Sequence, residues 1–215
     1  MDIIQTSPDK LVLKHGLLCL DFTNTVFWRL RENPTEGFQN YTSFVRWGQK
    51  VGLSTDVVSE QLVQEAKAHP DEAAQVLNRV ISLREALYRI ITATVEGNSY
   101  KPEDLDLLNA EVSRMHQRVL LVQKEGHFEW GWRTVENTLD QMLWPILRSA
   151  TQLLTSATLD RIGVCRGEGC GWLFYDKSRN RTRKWCDMGD CGNRAKARRF
   201  YQRSREKRFT NASLE

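Results

Sequence analysis

Apolar residues recur at helical spacing through most of the first 160 residues, and this pattern predicts a mainly helical domain. We expect helices over residues 43–51, 54–69, 70–96, 102–115 and 135–155, the last interrupted at Pro145. The helix from Pro70 has the clearest apolar stripe, because its large aliphatic side chains fall on one face. The positions expected to be buried in it are Val76, Val80, Leu83, Leu87, Ile90 and Ile91.

Short strands are expected where the helical pattern stops. Residues 118–123 and 127–132 flank the turn sequence Lys124-Glu-Gly and predict a hairpin. The apolar segments Leu11-Val-Leu and Leu17-Leu-Cys-Leu flank His15-Gly16 in the same way, so a second hairpin is expected there. These elements together predict an α+β domain that is mainly helical with short β-hairpins.

Charge and cysteine content divide the chain near residue 160. Residues 161–215 contain 15 Lys and Arg against 6 Asp and Glu, a balance of +9, whereas the first 160 residues have a balance of −5. Four of the five cysteines also fall in the basic part. We therefore expect one domain over residues 1–158, a second over 161–208 and a flexible tail over 209–215.

The apolar content excludes several protein classes. No run approaches the roughly 20 uninterrupted apolar residues that a membrane span requires. The apolar stretch at residues 11–27 follows an N-terminus without a basic region, so it does not resemble a signal peptide. We therefore expect a soluble, cytoplasmic protein with no membrane partner. In that reducing compartment cysteines are more often metal ligands, catalysts or core residues than disulfide partners.

The spacing of the basic part's cysteines is typical of a zinc site. Two pairs, each separated by four residues, are bridged by fifteen residues: Cys165, Cys170, Cys186 and Cys191. Such paired spacing brings four thiolates to tetrahedral positions around zinc. We expect one zinc ion, a strand at Trp172-Leu-Phe-Tyr and a helix opening at Cys191, which is a treble-clef-like arrangement. The alternatives are four unliganded core cysteines or two disulfides.

Cations surround the predicted zinc site, interleaved with hydroxyl and amide side chains. Arginine makes bidentate phosphate contacts and its polar neighbours add neutral hydrogen bonds, which suits a nucleic-acid backbone. The candidate contacts are Lys177, Arg179, Arg181, Arg183, Lys184, Arg194, Lys196, Arg198, Arg199 and Arg203. On the last helix Ala197, Phe200, Tyr201 and Ser204 share one side, which is expected to pack inward. The alternative is a solvated basic face that partly neutralises the acidic domain.

These residues resemble the CGNR zinc-finger family of bacterial proteins. The resemblance lies in Cys165-x4-Cys170-Gly-Trp-Leu-Phe-Tyr-Asp, Ser178-Arg-Asn-Arg-Thr-Arg-Lys-Trp-Cys186, Met188 and Cys191-Gly-Asn-Arg-x-Lys. Upstream, Leu18-Cys-Leu-Asp-Phe-Thr-Asn-Thr25, Leu83-Arg-Glu-Ala-Leu and Leu108-Asn-Ala resemble the ABATE domain that usually precedes this finger. The resemblance implies a stress-induced transcription regulator in which the four cysteines are zinc ligands.

A polar triplet in the N-terminal domain has two interpretations. Asp21, Asn24 and Thr25 interrupt an apolar run, where polar groups must find partners or stay exposed. Asp21 or Asn24 can cap a helix near residues 25–30. Alternatively, Asp21, Asn24 and Arg84 project into a pocket for a small-molecule effector.

The sequence favours a zinc-dependent nucleic-acid-binding protein, with DNA preferred over RNA as partner. In this interpretation the finger binds DNA, and the N-terminal domain senses a ligand or mediates assembly. An RNA-binding or protein-interaction zinc module is one alternative, and an enzyme with a purely structural zinc is another. We expect no catalytic residues, because four cysteines leave zinc no open position and the chain has no Walker loop, dinucleotide-binding glycine turn or nucleophile elbow.

Overall fold

A computed structural model describes residues 13–132 and 138–212 of the 215-residue chain. The helices in these ranges are α1 (Leu18–Thr23), α2 (Tyr41–Lys50), α3 (Asp56–Ala68), α4 (Pro70–Glu96), α5 (Pro102–His116), α6 (Leu143–Leu154) and α7 (Asn193–Ala212). The strands are β1 (Val26–Phe27), β2 (Thr35–Glu36), β3 (Val119–Lys124), β4 (His127–Trp132), β5 (Ile162–Val164) and β6 (Leu173–Tyr175). The strands form three separate antiparallel hairpins, which pair β1 with β2, β3 with β4 and β5 with β6. The mainly helical α+β architecture is therefore confirmed.

Local signals in the sequence set most helix ends. The side chain of Asn40 accepts from the backbone N–H of Ser43 and closes a capping box at the start of α2. Thr55 caps α3 by accepting from the backbone N–H of Val58. Pro70 lies in the first turn of α4, and Gly97 ends that helix with a φ of 71°.

Helix α4 is the centre of the core and packs against α1, α2, α3, α5, α6 and β5. All six positions of its predicted apolar stripe are buried. The same continuous core includes Ile162 and Leu173, which belong to the β5–β6 hairpin of the predicted finger. The two halves of the chain thus share one hydrophobic core.

The predicted hairpin around His15-Gly16 is wrong. Residues Leu18–Thr23 form helix α1, and Leu11 and Val12 lie outside the described residues. All six residues of α1 are buried, against α4, α6 and β6. An apolar run of this length does not distinguish a strand from a buried helix, and a helix satisfies much of its backbone hydrogen bonding internally.

Two other predicted helices also differ. Residues 25–30 hold β1 and a turn, so there is no helix there for Asp21 or Asn24 to cap. Helix α6 begins at Leu143, after turns at 139–142, so Pro145 falls in its first turn where it removes no intrahelical bond. Residues 133–137 of that prediction lie outside the described residues. At the other end, α7 continues to Ala212, so residues 209–212 of the predicted tail are helical.

The predicted hairpin of β3 and β4 is present, with Leu121 opposite Trp130. Among the described residues, no helix combines the length and apolar character needed to cross a membrane.

Candidate metal centre and basic surface

Four buried cysteines meet at one point of the C-terminal part. Cys165 and Cys170 lie in the connection between β5 and β6, Cys186 follows in a loop, and Cys191 belongs to a π-helical turn (Met188–Gly192) that leads into α7. Their four Sγ atoms all lie within 4.8 Å of one another. The predicted cysteine set is therefore assembled by three separate parts of the chain.

The spacing of the sulfurs fits one tetrahedral metal ion. The Sγ atoms of Cys170 and Cys186 are 3.7 Å apart, as are those of Cys186 and Cys191. Four thiolates at about 2.3 Å from a central zinc ion lie about 3.8 Å from each other. A disulfide requires about 2.05 Å, and all four cysteines are free. The geometry thus matches a metal site and excludes the two-disulfide alternative.

The electrostatics of the cluster also call for a cation. Hydrogen bonds from the thiols of Cys170 and then Cys186 lower the pKa of Cys165. The same proximity raises the pKa of Cys170 and of Cys186, because each thiol donates to the sulfur of Cys165 and burial disfavours a further negative charge. All four sulfurs can therefore be thiolates together only around a positive ion.

Two donors are directed at the sulfurs from outside the cluster. The backbone N–H of Gly167 lies 3.4 Å from Sγ of Cys165, and Nη2 of Arg194 lies 2.9 Å from Sγ of Cys191. Such hydrogen bonds spread the negative charge of thiolate ligands and fix their orientation. A Cβ on Gly167 would lie 2.9 Å from Sγ of Cys191, so the tight knuckle requires glycine there.

The metal centre is joined to the N-terminal domain by buried and partly buried hydrogen bonds. The side chain of Asn24 donates to the carbonyl of Leu173 at 2.7 Å and accepts from its N–H at 2.8 Å. The indole N–H of Trp172 donates to the carbonyl of Val26 at 2.7 Å. These contacts hold β6 and the first knuckle against the end of α1.

A second contact is made by residues Trp28–Arg31, here named the docking loop. Its Leu30 N–H donates to the carbonyl of Gly169 at 3.1 Å. The guanidinium carbons of Arg31 and Arg194 lie 3.7 and 4.3 Å from the ring centre of Trp28. Arg194 also donates to the sulfur of a metal ligand. Its side chain therefore contacts both the docking loop and the metal centre. Sequence reasoning missed this role of Trp28, which no spacing signal marks.

The three residues of the predicted effector site are all buried, with Arg84 only 1% exposed. Asp21 accepts from the backbone N–H groups of Lys14 and His15 at 3.1 Å and contacts Nδ1 of His15 at 2.9 Å. Asn24 is engaged with β6 as described above. Asp21 and Asn24 therefore each hold a neighbouring segment of the protein against α1.

Arg84 has a separate set of partners. It donates to the carboxylate of Glu36 at 2.6 and 2.5 Å, to Glu85 at 2.9 Å and to the hydroxyl of Thr25 at 3.2 Å. Burial raises the pKa of Glu36, but the hydrogen bonds from Arg84 and from the backbone N–H of Phe38, together with the charges of Arg84 and Arg29, lower the pKa overall. The structure thus distributes the three predicted residues among separate internal contacts, and an effector site at them stays a prediction.

The predicted nucleic-acid contacts fall into two groups, and the first is already engaged within the protein. Arg183 donates to the carbonyl oxygens of Trp185 at 2.8 Å and Cys186, and lies over the ring of Phe174. Arg194 is bound at the metal centre. Arg181 forms a long ion pair with Asp160, at 3.9 Å, and Arg198 forms an exposed ion pair with Glu168. Arg199 donates to its own helix and faces Trp185.

The second group is exposed and has no ion pair or hydrogen bond through its side chains among the described residues: Lys177, Arg179, Lys184, Lys196 and Arg203. The first three of these lie on the loop between the cysteine pairs. That loop is held in place by the buried carboxylate of Asp176, which accepts from the backbone N–H groups of Ser178 and Arg183 at 2.8 and 2.9 Å. The cations are therefore carried on an ordered scaffold.

The predicted inward face of α7 is wrong. Phe200 and Tyr201 are 68% and 67% exposed, and Ala197 is exposed as well. The helix starts at the metal centre and then leaves the body of the protein, so no described residue covers the side that the helical wheel marks as apolar. Its described side chains beyond the first turn are consequently accessible around the helix.

Two family models match the chain. The ABATE model, described as "Putative stress-induced transcription regulator", matches residues 16–157. The CGNR zinc finger model matches residues 161–204. No curated protein matches the chain. Both resemblances identified from the motifs are therefore confirmed.

Proposed function

The chain belongs to the ABATE family and carries a CGNR zinc finger, and on this premise we propose that it is a bacterial DNA-binding transcription regulator that responds to stress. In this proposal the metal is zinc, because four thiolates at tetrahedral spacing are the ligand set of structural zinc sites. Four sulfurs leave no open coordination position, so the metal has a structural role. The N-terminal domain senses a small molecule or mediates assembly.

The observation that carries the proposal is the freely projecting basic helix α7. It has 20 residues and so extends for about 30 Å. Lys196 and Arg203 on it are exposed and without acidic partners among the described residues. A helix of this diameter fits the major groove of duplex DNA, whereas the major groove of duplex RNA is too deep and narrow. This difference favours DNA over RNA.

The loop between the cysteine pairs supplies a second basic element beside the helix. Lys177, Arg179 and Lys184 are exposed there and free to neutralise phosphates. With the two α7 cations they make about five phosphate contacts, which predicts a log–log salt dependence of roughly −4.5 for duplex DNA. Such contacts position a protein on DNA without reading its sequence.

Salt-dependent fluorescence anisotropy with labelled duplex DNA tests the proposal. The triple variant Arg179→Ala, Lys184→Ala, Lys196→Ala removes cations that support no internal contact, so its metal content should be unchanged. Losing three phosphate contacts should reduce the magnitude of the slope by about 2.7. A control with the same charge change on the N-terminal domain, Arg46→Ala, Lys50→Ala, Lys67→Ala, should keep the wild-type slope.

Parallel titrations with RNA and single-stranded DNA of the same sequence decide the class of partner. Tighter binding to RNA than to the duplex would replace the DNA assignment, and tighter binding to single-stranded DNA would replace the duplex assignment. If the metal-loaded chain binds none of them in a salt-sensitive way at micromolar concentration, the finger is a protein-interaction module and the proposal is wrong.

A further inference from the structure

A cleft unrelated to the finger lies between α5, the β3–β4 hairpin and α6. It has a volume of about 200 Å³. That is about the space of six or seven water molecules in the liquid. Its lining residues are Met115, His116, Val119, Trp130, Arg148 and Thr151.

One wall of the cleft is apolar and continues onto an exposed surface. Met115 is buried at the base, while Trp130 on β4 is 57% exposed. Leu121 pairs with Trp130 across the hairpin, and both it and Phe128 are also largely exposed. Paired residues of a hairpin point to the same face, so these side chains form one apolar surface beside the cleft. Exposed aromatic surface of this kind commonly marks a binding site.

The opposite wall carries a cation without an anion. Arg148 on α6 is only partly exposed and has no ion pair or hydrogen bond through its side chain to any described residue. By contrast, Arg79, Arg84 and Arg89 on α4 each pair with a carboxylate. A partly buried guanidinium loses hydration and gains nothing in return unless an anion binds to it. Arg148 is therefore left without an anionic partner among the described residues.

A neighbouring arginine strengthens the positive character of the site. Nη1 of Arg118, one residue before the lining Val119, is buried without a hydrogen-bond partner. The described lining contains no carboxylate. The region thus combines an apolar wall with unneutralised positive charge.

We propose that this cleft binds a small amphipathic anion, an aromatic carboxylate of about one ring. Its ring lies against Met115, Val119 and Trp130, and its carboxylate accepts hydrogen bonds from the guanidinium of Arg148. The size is appropriate, because an apolar cavity of about 150 Å³ holds benzene. The unpaired guanidinium favours an anion over a neutral molecule, and the small volume favours a small molecule over a helix or strand of a partner.

The cleft is independent of the nucleic-acid proposal but well placed to influence the finger. Arg148 and Thr151 lie on α6, which is followed directly by the turn Ala157–Arg161 and then by β5 of the finger. A ligand held by α6 would therefore contact the element that leads into the metal-bearing hairpin.

Fluorine NMR of the full chain tests the proposal with 4-fluorophenylacetate as the probe. The wild-type protein should broaden the probe signal, and 4-fluorophenylacetamide, its neutral analogue, should bind at least 10-fold more weakly. Arg148→Met keeps the stem and removes the charge-assisted hydrogen bonds, so it should also weaken binding of the carboxylate at least 10-fold. Arg46→Met on α2, another arginine without a described partner, is the matched control and should bind as the wild type does.

A second variant tests the location. Thr151→Leu adds bulk to the cleft on a helix that tolerates leucine, so it should abolish the probe signal while circular dichroism stays unchanged. The proposal is wrong if folded Arg148→Met binds like the wild type, if acid and amide bind equally, or if millimolar probe shows no binding. It is also wrong if light scattering finds a dimer that Trp130→Ser dissociates and the cleft binds no probe, because the apolar face then joins two copies.

Discussion

Replacing Asn24 with alanine should remove hydrogen bonds between the N-terminal domain and the finger and so lower the free energy of unfolding. The Asn24 side chain bonds both the N–H and the carbonyl of Leu173, at 2.8 and 2.7 Å. Both residues are buried, Asn24 at 4% and Leu173 at 0% exposure. Alanine would therefore leave a buried donor and a buried acceptor of β6 without partners.

The magnitude follows from the cost of those two unpaired groups. Each buried backbone group left unsatisfied costs about 1–3 kcal/mol, so Asn24→Ala should lower the free energy of unfolding by about 2–6 kcal/mol. For a chain of this size a loss of about 3 kcal/mol lowers Tm by about 6–12 °C. A residue that only capped a helix would cost less, about 0.5–2 kcal/mol.

Urea unfolding followed by circular dichroism measures this loss in the metal-loaded protein. Asn109→Ala is the control, because Asn109 is exposed on α5 and alanine favours helix there, so its effect should stay within about 0.5 kcal/mol. The reasoning is refuted if Asn24→Ala changes the free energy of unfolding no more than the control does. The result also bears on the predicted effector site, since a large loss identifies Asn24 as a scaffold residue.

Three further predictions concern the metal, pH and the docking loop. Cys186→Ser should lose the metal by elemental analysis and should also lower the Tm of the whole chain, because the finger's hairpin shares the main core. The hydrogen bond from Arg89 lowers the pKa of Asp104. This pair therefore stabilises the fold above about pH 4, and its contribution disappears as pH falls through the folded pKa. In urea titrations the free energy of unfolding of Asp104→Asn should depend less on pH below about pH 5 than that of the wild type. Gly171→Ala would place a Cβ 2.6 Å from a docking-loop side chain at a φ of +67°, so thermal unfolding should show a larger loss than for Gly97→Ala, which has a φ of +71° and open space.

Predictions from the sequence were accurate where the signal is local. Pro70 and Gly97 fix both ends of α4, and its apolar stripe fixes the face that is buried. The paired cysteine spacing likewise predicts the set of four cysteines whose sulfurs meet. The turn at Lys124-Glu-Gly sets the register of the β3–β4 hairpin. The helix ends and the turn depend on residues close together in sequence, and the cysteine set is marked by two closely spaced pairs.

Predictions failed where burial depends on distant parts of the chain. The run at Leu18–Thr23 is buried on all sides, and only contact with α4, α6 and β6 makes it a helix. The wheel of α7 assumes that an apolar side has a neighbour, yet Phe200 and Tyr201 face solvent because the helix leaves the core.

The sequence by itself determined the elements with local caps, the metal-ligand set and the separation of charge near residue 160. Only the tertiary structure decided which polar residues are scaffold and which cations are available. From residue type alone, Asn24 and Arg183 could each be a scaffold residue or a binding residue. Asn24 bonds a backbone group far away in sequence and Arg183 bonds a nearby backbone carbonyl, and a backbone partner leaves no signal in the sequence. Hydrogen bonding and burial are properties of the assembled fold, so the division between the N-terminal domain and the finger that charge indicates is bridged by one shared core.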